Sequence, residues 1–595
     1  MEYLFRSILI ILSFIFFHCS AEKTNDSSSS LLFSLSNTGS ATSSSSSNNS
    51  STATTQQTPV TVGSAPPELP GHGMPVLPPP SGSAGANCGI GAASPGWQQQ
   101  ALIKAANASA NAQYGAIIAS SGDTIVVGHP GDKSNQRTIT NGPTASNDQS
   151  GGGGAVYVYK LSAGVWTQEA YIKPSNLDEN DDFGRSVSIS GDILVVGAPG
   201  EASLQNTIST GTTASIDNSA NDAGAVYVFR RSGSNWNQIA YIKASNNRGP
   251  YHRFGQSVAI VGNTLAVGAR EEPSGSNQII NGTGAPEDYN GMFSGAVYIY
   301  QWDGNLTWTQ EAFIKASNNR NGGFSDETLW STIDLFGGKI ALSEDGNKLA
   351  VGAIGEDSGF NGIVNGSGGN SDNSIKNAGA VYIYKRTGNQ WAEEAYIKAP
   401  NPGTSHWFGE QLSISGDRLA VSASEGSNFR GISNTTNNDN SSLNSGAVYT
   451  YIRTGANWTF DRYIKSSNSD PQDRFGSSVV ISGNRLLVGA SRESSNINTV
   501  SNAGVASADN SFNMSGAAYV FTNSGGVWSQ SAYLKPSNVR AGRSFGFSAA
   551  MNNDRIIIGS VGESSNANTI THGLNSSCDI TLQNSGAIYV FGNVP

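Results

Sequence analysis

Residues 183–198 read FGRSVSISGDILVVGA. Val187 and Ile189 alternate with Ser186, Ser188 and Ser190, the period of two that turns apolar side chains to one face of a strand. Gly191-Asp192 is a two-residue hairpin signal, and Ile193 to Val196 continue as a largely β-branched run. The stretch predicts two antiparallel strands, and the chain repeats it. An aromatic-Gly pair opens a comparable segment at Tyr114, Phe183, Phe254, Phe336, Phe408, Phe475 and Phe545. A second marker, Gly-Ala-Val-Tyr-Val-Tyr or a near variant, starts at Gly154, Gly224, Gly295, Gly379, Gly446, Gly516 and Gly586. A third, Trp-x-x-x-x-[Tyr/Phe/Leu]-[Ile/Leu]-Lys, starts at Trp97, Trp166, Trp236, Trp308, Trp391, Trp458 and Trp528. It ends at Lys104, Lys173, Lys243, Lys315, Lys398, Lys465 and Lys535. The period is about 70 residues, with one longer interval between Trp308 and Trp391.

Each period therefore reads as four strands, the last two carried by the Gly-Ala and Trp markers. Four-stranded units repeated in a ring make a β-propeller. The expected fold is all-β, a seven-bladed propeller over residues 97–595. The markers begin with a fourth strand, Trp97–Lys104, and end with a third, Gly586–Phe591. The N-terminal copy is expected to complete the last blade, closing the ring and hiding edges that would invite pairing with other chains.

The 595 residues include 34 basic and 44 acidic side chains, a formal charge of −10. That balance gives no attraction to nucleic-acid phosphates or anionic lipid. Residues 1–19 carry Arg6 and an apolar run from Ile8 to Phe17. The run is too short to span a bilayer, which takes about 20 helical residues, and it reads as a secretory signal. Phe16-Phe17-His18-Cys19 resembles a bacterial lipobox, with His18 where a small residue is usual. Cys19 is the candidate lipidation site; the alternative is cleavage nearby and a secreted product. Residues 20–96 are rich in Ser, Thr and Asn and then in Pro, a composition expected to form a disordered linker.

The repeated markers resemble the FG-GAP repeats of the integrin α-subunit propeller, in their bacterial form: Phe-Gly opens each unit, Gly197-Ala198-Pro199 follows strand two, and Gly-Ala-Val-Tyr comes next. The resemblance implies a binding or cell-adhesion platform without a shared enzymatic activity. Integrin-type repeats often carry an Asp-rich calcium loop between strands one and two. Here that connection is mostly Gly-Asp or Gly-Asn, too short to wrap a cation, and Ser343–Asn347 is the one enlarged copy. Those calcium sites are not expected.

In a propeller the 2–3 loops and 4–1 connections share a face. Here the 2–3 loops run to about 25 residues, as in Pro199–Ala223, with an Ile or Val at a matching place in each: Ile139, Ile208, Ile279, Ile363, Ile432, Val500, Ile570. Loops this long usually have a function, so this is the expected recognition face. Each has an acid near its start (Asp132, Glu201, Glu272, Glu356, Glu425, Glu493, Glu563) and an Asp near its end (Asp148, Asp217, Asp288, Asp372, Asp439, Asp509, Asp579). These are candidate calcium ligands, two carboxylates per blade. The alternative is that the first acid pairs with the strand-four Lys and the second stabilises a turn.

Trp330, in the enlarged connection 319–335, with His252, His406 and Trp407, are candidate ligand contacts; the histidines, on separate blades and without metal spacing, read first as ordinary loop residues. The Trp repeats read as packing. Gly542-Arg543-Ser544-Phe545-Gly546 has G-x-S-x-G spacing but no helix signal after it, which argues against a nucleophile elbow. Cys88 and Cys578 are a candidate disulfide stapling the chain ends, or two free thiols. No acid, base and nucleophile set converges, so no catalytic residue is assigned. The reading is an exported, lipid-anchored platform, at the outer membrane or cell surface or else secreted, monomeric, binding an extracellular protein, matrix component, glycan or envelope partner. A glycan-active propeller enzyme and a purely structural envelope protein are the alternatives.

Overall fold

The computed structural model describes residues 95–146, 151–288, 290–291, 293–319, 333–552, 554–574 and 576–594. Cys19, Cys88, Asp148, Trp330, the signal segment and nearly all of the linker lie outside them. Seven antiparallel sheets form a ring. Blade two shows the pattern, with consecutive strands Ser186–Ser190, Ile193–Ala198, Ala225–Ser232 and Asn235–Ile242 paired in that order. The innermost strand of each blade touches that of the next, and the last (Phe545–Asn552) touches the first (Ile117–Ser121), so the ring closes at seven. Strand two is buried along its whole length in blade two, as its near-continuous apolar run requires. The core lies between blades: Val126, Val156 and Val158 of blade one pack with Leu194, Val196 and Tyr227 of blade two. No helix occurs among the described residues.

Closure is as the marker order predicts. Gly96–Ile103 pairs antiparallel with Ala587–Val594, from Gly96 opposite Val594 to Ile103 opposite Ile588. Past that strand, the N–H groups of Asn111, Gln113 and Tyr114 donate to the carbonyls of Gln583, Asn584 and Ser585 at 2.8, 3.0 and 3.1 Å.

The blades differ from the four-strand expectation. In six of them the middle of the long 2–3 loop returns along strand four as a short fifth strand: Thr140–Asn141, Ile208–Thr210, Ile279–Asn281, Ile363–Asn365, Ile432–Ser433 and Ile570–His572. Blade six keeps four strands and a single bridge, Ser501 to Tyr533. Strand four would otherwise present a row of unpaired N–H and C=O groups, and the recurrent Ile or Val sits where the loop covers it. Much of the loop length is thus spent on the outer rim.

Two devices join neighbouring blades. Gly224 has φ +83° and bridges Phe254 of the next blade; a Cβ there would overlap the Phe254 carbonyl oxygen. This close approach explains why the Gly-Ala and aromatic-Gly markers travel together. The pairing of strands three and four also carries a bulge in every blade, between Val158 and Tyr159 in blade one. A bulge re-aims one side chain, and here the extra residue is Glu169. Its carboxylate accepts the Trp236 indole N–H of the next blade at 2.9 Å. Glu311 to Trp391, Glu394 to Trp458 and Asp461 to Trp528 repeat the contact at 3.0, 3.1 and 3.0 Å. These four indoles staple neighbouring blades, and all seven repeated Trp residues are buried, as the packing reading of the sequence expects.

Candidate functional site

The strand-four Lys and the first loop acid meet in every blade. Lys173–Asp132, Lys243–Glu201, Lys315–Glu272, Lys398–Glu356, Lys465–Glu425 and Lys535–Glu493 lie 2.5 to 3.1 Å apart, and Lys104 pairs with Glu563. All fourteen side chains are buried. Charges removed from water need both a counter-ion and further hydrogen bonds, and the surroundings supply them. Glu201 accepts the Tyr241 hydroxyl at 2.7 Å, the Asn176 side-chain amide at 3.4 Å and the Ser203 N–H at 3.3 Å. Burial pushes the Lys243 ammonium down and Glu201 pushes it back up.

Asn176 belongs to the connection leaving blade one, yet it donates to Glu201 and to the Ser215 carbonyl and accepts the Tyr227 hydroxyl, all in blade two. Each loop is therefore latched by the blade before it. The sequence holds the signal for this latch, a Lys-x-x-Asn spacing at Lys104–Asn107, Lys173–Asn176, Lys243–Asn246, Lys315–Asn318, Lys398–Asn401, Lys465–Asn468 and Lys535–Asn538. The spacing escaped notice in the sequence because nothing in one dimension shows what the Asn reaches.

The second loop acid is elsewhere, exposed at Asp217 and Asp372 and half-buried at Asp288, Asp439, Asp509 and Asp579. Asp217, Asp288, Asp372, Asp439, Asp509 and Asp579 accept backbone N–H groups from the beginning of their own loops: Leu204 at 2.8 Å, Gly275 at 2.8 Å, Gly359 at 2.7 Å, Asn428 at 3.3 Å, Asn496 at 2.8 Å and Asn566 at 3.0 Å. The Leu204 N–H is the largest influence on Asp217 and holds its carboxyl below the ordinary value. Both acids thus have the contacts of the ion-pair and turn reading. Among the described residues no group of three or more His, Cys, Asp or Glu converges as a metal site.

A ring of seven residues lies two positions before the aromatic-Gly pair: Ala112, Asp181, His252, Asp334, His406, Asp473 and Arg543, all buried. His252 and His406, candidate ligand contacts in the sequence, are buried, and burial pushes both imidazoles down, against Glu272 and Glu425 respectively. Burial pushes Asp181 and Asp473 up to about 7, against the backbone N–H groups of Asp178 and Asp470. The residue that follows is left-handed in every blade: Gln113, Asp182, Arg253, Leu335, Trp407, Arg474 and Ser544, with φ between 49° and 57°. Non-glycine residues reach this region only at a cost. A repeated bond to the end of the preceding 2–3 loop holds them there, as from Arg253 N–H to the Asp222 carbonyl at 2.8 Å and from Trp407 N–H to Asn377 at 3.1 Å. Asp182, Arg253 and Trp407 are half-buried and Arg474 is exposed. Cys578 is disulfide-bonded.

A model of the FG-GAP repeat family matches residues 97–159, 166–229, 236–300, 391–451, 458–521 and 528–591, well over half of the chain. The unmatched stretch, 301–390, holds strand four of blade three and the first three strands of blade four, with the connection 319–335 and hairpin 343–347 that depart in length from the others. No curated protein matches the chain.

Proposed function

Because the chain belongs to the FG-GAP repeat family, we propose that it is a non-enzymatic binding platform, exported and lipid-anchored through Cys19, which recognises an extracellular or envelope partner with its loop-rich face. One observation carries this reading. Where each inner strand begins, a backbone position of fixed and strained geometry holds six residue types in seven blades; Asp182, Arg253, Trp407 and Arg474 reach solvent there, Gln113, Leu335 and Ser544 are buried, and the aromatic and Gly beside it barely change. A varied surface on a repeated frame is how rigid scaffolds present recognition residues. The buried Lys–acid pairs and Asn latches supply the rigidity, so little ordering entropy is lost on binding. Six of the large apolar side chains left exposed, Leu204, Ile216, Tyr251, Leu443, Val505 and Ile580, lie in the 2–3 loops or 4–1 connections. The opposite face consists mostly of two-residue hairpins.

The test is capture of extracellular proteins and glycans by the full chain, compared with Arg253→Ala/Trp407→Ala/Arg474→Ala and with Leu306→Ser, a hairpin residue of the opposite face. The triple variant should lose capture and Leu306→Ser should keep it. The reverse result would overturn the assignment of the face. Loss of lipid labelling and of membrane retention in Cys19→Ser tests the anchor.

A further inference from the structure

The buried ring contains one cation. Blades two, four and six place Asp at this position and blades three and five place His, but blade seven places Arg543, which is 2% exposed. Its Nη1 donates to Glu563 at 2.9 Å. The same carboxylate is already taken by Lys104, so one buried carboxylate faces two buried cations. Burial acts to raise the Glu563 carboxyl, and Arg543 and Lys104 together hold it below its ordinary value.

The remaining donor is orphaned. Arg543 Nη2 is shielded from solvent and has no hydrogen-bond partner. Three residues earlier on the same connection, Arg540 Nε is likewise shielded and without a partner. No acid offsets Arg540: burial and then the like charge of Arg543 act on it, both in the same direction. Native proteins rarely leave a buried donor unpaired, and such a group asks for a missing ion or water. Here two orphaned donors sit on neighbouring guanidinium groups, which excludes a mutual bond and calls for an acceptor that also carries negative charge. Between them Gly542 is left-handed at φ +78°, and a Cβ built on it would meet no atom within 4 Å. There is open space at the residue that lies between them in the chain.

We propose that Arg540 and Arg543 form a binding site for a tetrahedral oxyanion of the phosphate or sulfate class, beside Gly542 on the connection from blade six to blade seven. Guanidinium groups match the spacing of oxyanion oxygens through paired N–H donors. An anion there gives both orphaned N–H groups an acceptor and balances the second cation on Glu563. It also gives Gly542-Arg543-Ser544-Phe545-Gly546 a different role from the one its spacing suggests, with the Arg rather than the Ser as its working residue. The site lies on the loop-rich face but does not depend on the macromolecular partner.

The test is calorimetric titration of the full chain with inorganic phosphate, and separately sulfate, at ionic strength held constant with sodium chloride. Arg540→Gln is the diagnostic variant, because Arg540 is partly exposed and makes no bond to Glu563. Arg230→Gln, an exposed arginine of blade two, is the control. Saturable binding to the full chain, at least tenfold weaker in Arg540→Gln and unchanged in Arg230→Gln, is expected, with equal melting temperatures for the two variants in chloride alone. No binding beyond the chloride control, equal affinity in Arg540→Gln, or an equal loss in Arg230→Gln would each overturn the proposal.

Discussion

Replacing Asp181 by Asn should stabilise the propeller at alkaline pH and much less at acid pH. The carboxyl is 3% exposed. Burial raises it most, the Asp178 N–H opposes that at 2.8 Å, and the nearby Glu201 and Asp178 carboxylates raise it further while Lys243 lowers it. Its folded value is about 7 against 3.8 for the free side chain. Below the lower value both folded and unfolded chains hold the proton, and the fold carries no penalty. Between the two values the unfolded chain gives up its proton and the folded chain keeps it, so stability falls as pH rises. Above the folded value the loss is complete. At about 1.4 kcal/mol per pH unit the full difference is about 4 kcal/mol. The substituted amide keeps an oxygen to accept the Asp178 N–H and has no proton to lose. The measurement is urea unfolding followed by tryptophan fluorescence for both proteins at pH 4, 5, 6, 7 and 8.5. The advantage of Asp181→Asn over the unsubstituted chain should widen by about 1.4 kcal/mol per unit between pH 4 and 7 and then level off. An advantage that is constant with pH, or that shrinks as pH rises, would refute the burial argument. Asp473→Asn should behave in the same way, since Asp473 has the same surroundings in Asp470, Glu493 and Lys465.

Lys243→Met leaves the Glu201 carboxylate buried without its cation and should cost about 3–5 kcal/mol in urea unfolding, with much of the loss recovered in Lys243→Met/Glu201→Gln. Gly224→Ala forces a Cβ onto the Phe254 carbonyl oxygen at positive φ and should cost about 3 kcal/mol or more, read as a lowered urea midpoint. Treatment with a calcium chelator should leave the melting temperature unchanged, because the first loop acids are bound to Lys and the second to backbone N–H groups; a fall of several degrees would show a cation shared between them.

The architecture was legible in the chain because its causes are local and repeated. A period-two strand, a Gly-Asp turn and a Gly forced by close approach each leave a mark in the letters, and seven copies in register separate signal from chance. The order of the markers even shows which strand closes the ring, and the Lys–acid pairing was among the readings the residues allowed. The fifth strand was not legible. Thr140–Asn141 and Ile432–Ser433 are too short to carry a period, and they become strands only because an unpaired edge lies beside them. The fate of the individual acids and of His252 and His406 was equally hidden, since burial is a property of position in the ring, and Asp181, His252 and Arg543 look like polar loop residues in one dimension. The orphaned donors of Arg540 and Arg543 belong to the same class. A hydrogen bond that is missing can be seen only when every neighbour that could have made it has been placed in space.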